Sequence, residues 1–169
     1  MIYPIVKFGD PVLEKNAEPV TAFDQDLQKL VDDMFESMYA AHGVGLAAPQ
    51  IGISKRLAVI DVTFKEDPEA KLVLANPEII HTEGRHTQNE GCLSIPDFRE
   101  SVTRAKKVTI RAQDVTGEFF EKTGEELLAR AFLHETDHLN GKLYISHLSA
   151  LKRDLIKRKI RKLVKAGEW

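Results

Sequence analysis

Apolar positions in DQDLQKLVDDMFESMYAAHG recur at helical spacing. Leu27, Leu30, Val31, Met34, Phe35, Met38 and Tyr39 share one face, with acids and amides between them. Asp24 is placed to cap this helix and Gly43 to stop it. RLAVIDV (56–62) and KLVLAN (71–76) are short and apolar and predict strands. NPEII opens on a turn-prone Asn-Pro and resumes as another strand. KKVTIRAQDVTGEFFEKTG predicts two strands around a turn at Asp114–Gly117. Helical spacing returns over 124–140 through Leu127, Leu128, Ala131 and Phe132, with Gly141 just past the end. LYI reads as a short strand. SALKRDLIKRKIRKLVKAG reads as a last helix capped by Ser149. The order is that of an α+β fold: antiparallel strands around a central helix, an N-terminal helix and a basic C-terminal helix. The strict alternation of a doubly wound sheet is missing.

The chain has 169 residues, 43% hydrophobic and 30% charged, which suits one domain spanning 1–169. The N-terminal stretch MIYPIVKFGDPVLEKN lacks the basic start and apolar run of a secretory signal, and no segment is long enough to span a bilayer. Cys92 is the single cysteine, so no internal disulfide can form. Together these predict a cytoplasmic protein. Net charge is −2, unevenly spread. Residues 151–169 carry 8 basic and 2 acidic side chains, against 16 and 24 in the rest. A tail of +6 on a body of −8 points to a partner for the tail or to a solvated face.

The chemistry centres on HETDH, residues 134–138. Four residues' spacing on a helix stacks His134 and His138 on one face, where two imidazoles can share a divalent ion. Glu135, beside the first histidine, can reach a water on that ion without being a ligand. The motif needs a third ligand. The extended form H-E-x-x-H-x-x-G-x-x-H would supply a histidine at position 144, but that residue is Tyr144. His42, His81, His86 and His147 belong to no motif. Cys92, in NEGCLSIP, is flanked by glycine and followed by proline, which places it at a turn or strand end. A thiolate and two neutral imidazoles leave a fourth position open, as in a hydrolytic site. The competing reading of Cys92 is a small buried apolar residue. GVGLAAPQ (43–50) adds two glycines that permit close backbone approach and the amide of Gln50.

In this order, GVGLAAPQ, EGCLS and HETDH resemble the three motifs of the peptide deformylase family, and the resemblance extends over essentially the whole chain. Thr136 and Leu133 depart from the residues the family often has there; neither replaces a ligand or the catalytic acid. The resemblance implies a hydrolase that removes the formyl group from N-terminal formyl-methionine of nascent peptides and releases formate. It implies Cys92, His134 and His138 as metal ligands and Glu135 as general acid/base. It implies Gln50 and the Leu93 N–H as oxyanion donors. Gly45 would bind the substrate backbone, and Val44, Glu90, Leu127, Arg130 and Ala131 would line a methionine pocket. The implied ion is Fe(II), with zinc, nickel or cobalt able to replace it.

Two rivals stand beside this reading. One is a general HExxH metallopeptidase; the other is a metal-binding, ribosome-associated module without catalysis. In the last helix, Leu151, Leu155, Ile156, Ile160, Leu163 and Val164 form one apolar stripe opposite lysines and arginines. That pattern fits a helix docked on the core, and, through the resemblance, contact with the ribosome near its exit tunnel.

Overall fold

The computed structural model describes residues 1–169. Helix α1 (Gln25–Ala40) begins as its sequence predicts: the Asp24 side chain accepts from the Leu27 N–H. Its end differs from expectation. His42, not Gly43, takes the left-handed conformation, at φ 59°. The His42 and Gly43 amides then bond back to the Tyr39 and Met38 carbonyls, closing the last turn. Gly43 is needed for space instead, since a Cβ there would meet Leu93 Cδ1 at 2.8 Å.

Strands β1 (Gly45–Ala47), β2 (Leu57–Ile60), β3 (Leu72–Glu83), β6 (Lys107–Gln113) and β7 (Phe119–Glu125) form one antiparallel sheet in the order β1-β2-β3-β6-β7. The two strands expected over 71–80 are one. A bulge between Ala75 and Glu78 absorbs the Asn-Pro. Asn76 sits there at φ 49°; its amide donates to the Val20 carbonyl and to Gln113 Oε1. The turn after β6 is as predicted, with the Asp114 carboxylate accepting from Thr116 N–H and Gly117 in the left-handed region.

β2 shows why the sheet sits where it does. Its four residues are all buried. Alternate side chains leave opposite faces of a strand. Leu57 and Val59 pack with Val31, Met34 and Met38 of α1, while Ala58 and Ile60 join Phe132 and Ala129 of helix α2 (Leu127–Leu139). The sheet is thus held between two helices, and α2, the helix of HETDH, lies against its inner face. The end of α2 is closed by distant chain. The Leu139 carbonyl accepts from Ala17 N–H at 2.9 Å and from Arg56 Nη1 at 2.8 Å. Gly141, at φ 74°, lies so close to the N-terminal segment that a Cβ would meet Glu14 O at 2.7 Å.

Strands β4 (His86–Cys92) and β5 (Ile95–Arg104) form a separate two-stranded sheet, paired from His86↔Arg104 to Cys92↔Ile95. Three apolar residues of the segment around LYI, Leu143, Tyr144 and Ile145, pack behind this hairpin with Ile95 and Val102. Residues Tyr144–His147 are a 3-10 turn, not a strand, because the buried Tyr144 and Ile145 must point into one pocket. Helix α3 (Ala150–Lys165) starts at Ser149, whose hydroxyl accepts from Lys152 N–H. Its stripe is docked only in part: Ile156 and Ile160 are buried, whereas Leu151 is 72% exposed and Val164 56%. No helix is long and apolar enough to cross a membrane.

Candidate active site

Helix α2 and the hairpin meet along a polar seam. The sulfur of Cys92, at the last position of β4, lies 3.3 Å from His138 Nε2. His138 Nε2 is in turn 3.1 Å from His134 Nε2. All three donor atoms fall within 4.8 Å of one another. Tetrahedral bonds of ~2.1 Å to nitrogen and ~2.3 Å to sulfur would set a sulfur–nitrogen pair about 3.6 Å apart and a nitrogen–nitrogen pair about 3.4 Å apart. The Cys92–His138 and His134–His138 separations are therefore within a few tenths of an ångström of what a shared ion requires.

The electrostatics favour ligation as well. Burial alone raises a thiol, but the adjacent His138 and His134 outweigh it and bring Cys92 down to about 5. Thiolate is the ligating form. His134 is fixed from behind: its Nδ1 is 2.6 Å from Glu90 Oε2. A carboxylate there accepts from Nδ1–H and leaves the Nε2 lone pair facing the cluster. Glu90 is 5% exposed and accepts from Arg104 Nε and Nη2 and from Arg130 Nη1, at 2.7–2.8 Å. Burial would raise this carboxyl; Arg104 and His134 instead hold it well below the usual carboxylate range.

Glu135 is 4% exposed, and its Oε1 has no hydrogen-bond partner. Burial raises its carboxyl above the ordinary value, which suits a group that must take up a proton and give it back. A Cβ on Gly45 would meet Glu135 Oε2 at 2.6 Å. Glycine is required there so that β1 can pass the carboxylate. Gln50, 1% exposed, lies in the 3-10 turn Ala48–Ile51 after β1 and is oriented by the strand's last residue: Oε1 accepts from Ala47 N–H, while Nε2 points to Ser94 Oγ at 3.3 Å and Cys92 Sγ at 3.5 Å. Leu93 lies in the two-residue turn between β4 and β5, and its amide donates to no backbone carbonyl.

These groups open onto a cleft of about 630 Å³. β1 and its approach contribute His42, Val44, Gly45 and Gln50; the hairpin contributes Glu90, Cys92 and Leu93; α2 contributes Leu127, Arg130, Ala131, His134 and Glu135. His138 lies beneath the cleft, fully buried. Each site residue expected from the sequence is thus in or under one cavity. Two of the expected pocket residues do other work too. Glu90 holds His134, and the Arg130 guanidinium is taken up by Glu90, the Val102 carbonyl and the His86 carbonyl. Sequence reasoning missed Arg104, which lies 14 residues from its partner Glu90 in a segment with no motif.

The family model described as polypeptide deformylase matches residues 2–154. A peptide deformylase of Acidobacterium capsulatum is 68% identical over 169 residues, covering 100% of this chain and 99% of that one. One of Alkalilimnicola ehrlichii is 48% identical over 98% of this chain and 93% of its own. The crystal structure of a peptide deformylase from Legionella pneumophila superposes with a TM-score of 0.91 at 48% identity, covering 99% of this chain and 98% of that chain. With the three motifs gathered at one cleft and relatives matched from end to end, this chain belongs to the polypeptide deformylase family.

Proposed function

We propose that the protein is a metal-dependent hydrolase that removes the formyl group from N-terminal formyl-methionine of newly made chains. The observation that carries the proposal is the union of a thiolate–imidazole cluster with a buried, unpartnered carboxylate at the head of a cleft. Cys92, His134 and His138 would hold the ion. A divalent ion held there supplies Lewis acidity toward a water and toward the formyl oxygen. Fe(II) is the ion proposed, with zinc, nickel or cobalt as substitutes; the donor set accepts all four.

The chain's own residues do the rest. Glu135 takes a proton from the attacking water, whose oxygen bonds to the formyl carbon. As the carbonyl oxygen gains charge, the Gln50 amide and the Leu93 N–H meet it with donors already in place; one such donor is worth about 3 kcal/mol of barrier. Glu135 then passes its proton to the methionine nitrogen as the C–N bond breaks. Formate and a free amino terminus leave. An extended substrate would lie along Gly45 on the free edge of β1, as an added strand. Its methionine side chain would enter between Val44, Leu127 and Ala131, with the stem of Arg130 and Glu90 as the inner wall.

We also propose cytoplasmic action on nascent chains, with the basic side of α3 contacting the ribosome near the exit tunnel. Such contact should weaken steeply with added salt; binding indifferent to salt would count against it. The general peptidase is disfavoured by the Cys92 ligand and by Tyr144 where a histidine would stand. The central experiment is formate release from a formyl-Met tripeptide by anaerobic, Fe(II)- or Ni(II)-loaded protein. No release from verified loaded protein would sink the proposal.

A further inference from the structure

The Glu90–His134 contact does not end at Glu90. A line of hydrogen bonds continues outward to the surface. Arg104, with a side chain only 4% exposed, grips both oxygens of Glu90 and sends Nη1 to Asp137 Oδ2 at 2.9 Å. The same Asp137 oxygen is 2.8 Å from Nε2 of His147, which is 38% exposed and sits in the turn before α3. Asp137 Oδ2 thus sits between His147 Nε2 and Arg104 Nη1, which are themselves 3.5 Å apart, and Arg104 passes the line on through Glu90 to His134. Charge alternates along the buried part: Asp137, Arg104, Glu90.

We propose that Asp137 and His147 are positioning residues for the ion, acting through Arg104 on Glu90 and so on the aim of His134. Neither touches the ion or the substrate. The inference rests on the reading that Cys92, His134 and His138 hold a divalent ion. Three observations support it. Arg104 has a rigid fork, so its angle, once Asp137 takes Nη1, dictates where the Glu90 oxygens sit. Asp137 is on α2, one helical turn from His134, so the chain leaves the helix and returns to it, closing a loop around the hairpin. The other ligating histidine has no such support: His138 Nδ1 is buried and unpartnered. Of the two histidines, His134 is the one that protein groups hold from behind, and it is where the chain ends.

The test is the rate at which Co(II)-loaded protein, prepared anaerobically, loses its ion to an excess of a coloured chelator. The Co(II) absorption spectrum is followed in parallel. Loss from Asp137→Asn and His147→Ala is expected to be roughly three- to tenfold faster than from wild type, less than the roughly 10–100-fold for groups that touch a ligand directly, because both act through Arg104 and Glu90, with a shifted Co(II) band. His147→Gln, whose amide can still donate to Asp137, is expected to restore most of the wild-type rate. Glu100→Ala serves as the control. It removes an ion pair between the same hairpin and Lys152 of α3, outside the chain, and should leave rate and spectrum unchanged. His147 is partly exposed, so its variants test the idea even if Asp137→Asn folds poorly. Equal rates in all variants would overturn the proposal, as would Glu100→Ala speeding loss as much as His147→Ala. Failure of wild type to take up one Co(II) per chain would instead overturn the metal reading on which it stands.

Discussion

Helix α2 is held on its two sides by different means. Toward the five-stranded sheet it offers carbon: Ala129, Phe132 and Leu139 are fully buried against Ile60, Leu74 and Ile110. Toward the hairpin it offers Arg130, His134, Asp137 and His138, tied by ion pairs and hydrogen bonds. Buried ion pairs are a poor way to gain stability, because desolvation offsets most of the attraction. Apolar packing would hold the hairpin as well. The polar seam is explained by what it positions, and the apolar seam by what it stabilises. Substitutions on the two sides should therefore fail differently.

The largest effect is expected at Glu135, which stands on the polar side. Glu135→Ala should lower turnover by about 10²–10⁴-fold while keeping its ion and its unfolding midpoint. Formate assay and metal analysis on one preparation would check both; an empty site would give Glu135 a structural role and blur the comparison. Phe132→Ala tests the other side. It should cost about 3–5 kcal/mol in denaturant unfolding, with kcat/KM per folded molecule within a few-fold of wild type. A collapse of kcat/KM in well-folded protein would show that the apolar seam aims the histidines too.

A smaller effect probes an apparent exception. Asp61 is fully buried on the α1 side of the sheet and has no part in the proposed chemistry. Its carboxylate accepts from Tyr39 Oη, from Thr63 N–H and Oγ1, and from Lys65 N–H. These bonds hold Phe64 and Lys65 at φ 49° and 75°. Burial would raise the carboxyl, yet Tyr39 and Thr63 bring it down to about 2. A depressed value means the stabilisation is whole above the ordinary carboxylate range and is lost as pH falls from about 4 through 2. Unfolding of Asp61→Asn should lack this acid-side slope; an unchanged slope would mean the charge there is idle.

How far the sequence discloses this molecule depends on the range of the interaction. HETDH, the Asp24 cap and the Asp114–Gly117 turn are local, and each is where its residues predict. β4 and β5 were not expected. HTQNEGC offers no apolar alternation, and in IPDFRESVTR the pattern is broken by Asp97, at φ 69°. The support for His134 was invisible for a related reason: Glu90 finds Arg104 and Arg130 at separations of 14 and 40 residues. The α3 stripe marks the reverse error. Periodicity names a face but not its neighbour, and only Ile156 and Ile160 found one. That Cys92 would lie beside His134 and His138 was legible because the two-histidine motif asks for a third donor.

The closure of α2 by Ala17 and Arg56 also bears on the order of assembly. The Leu139 carbonyl waits for partners 122 and 83 residues earlier in the chain. On a ribosome those partners emerge long before the helix they close. Until HETDH has followed them out, the N-terminal segment can dock only on earlier chain, at Ser37, Gln50, Ser54 and Asn76. Closure of the histidine helix by the start of the chain is therefore a late step, a contact of long sequence separation of the kind that slows folding. The cleft cannot be complete on any shorter nascent fragment.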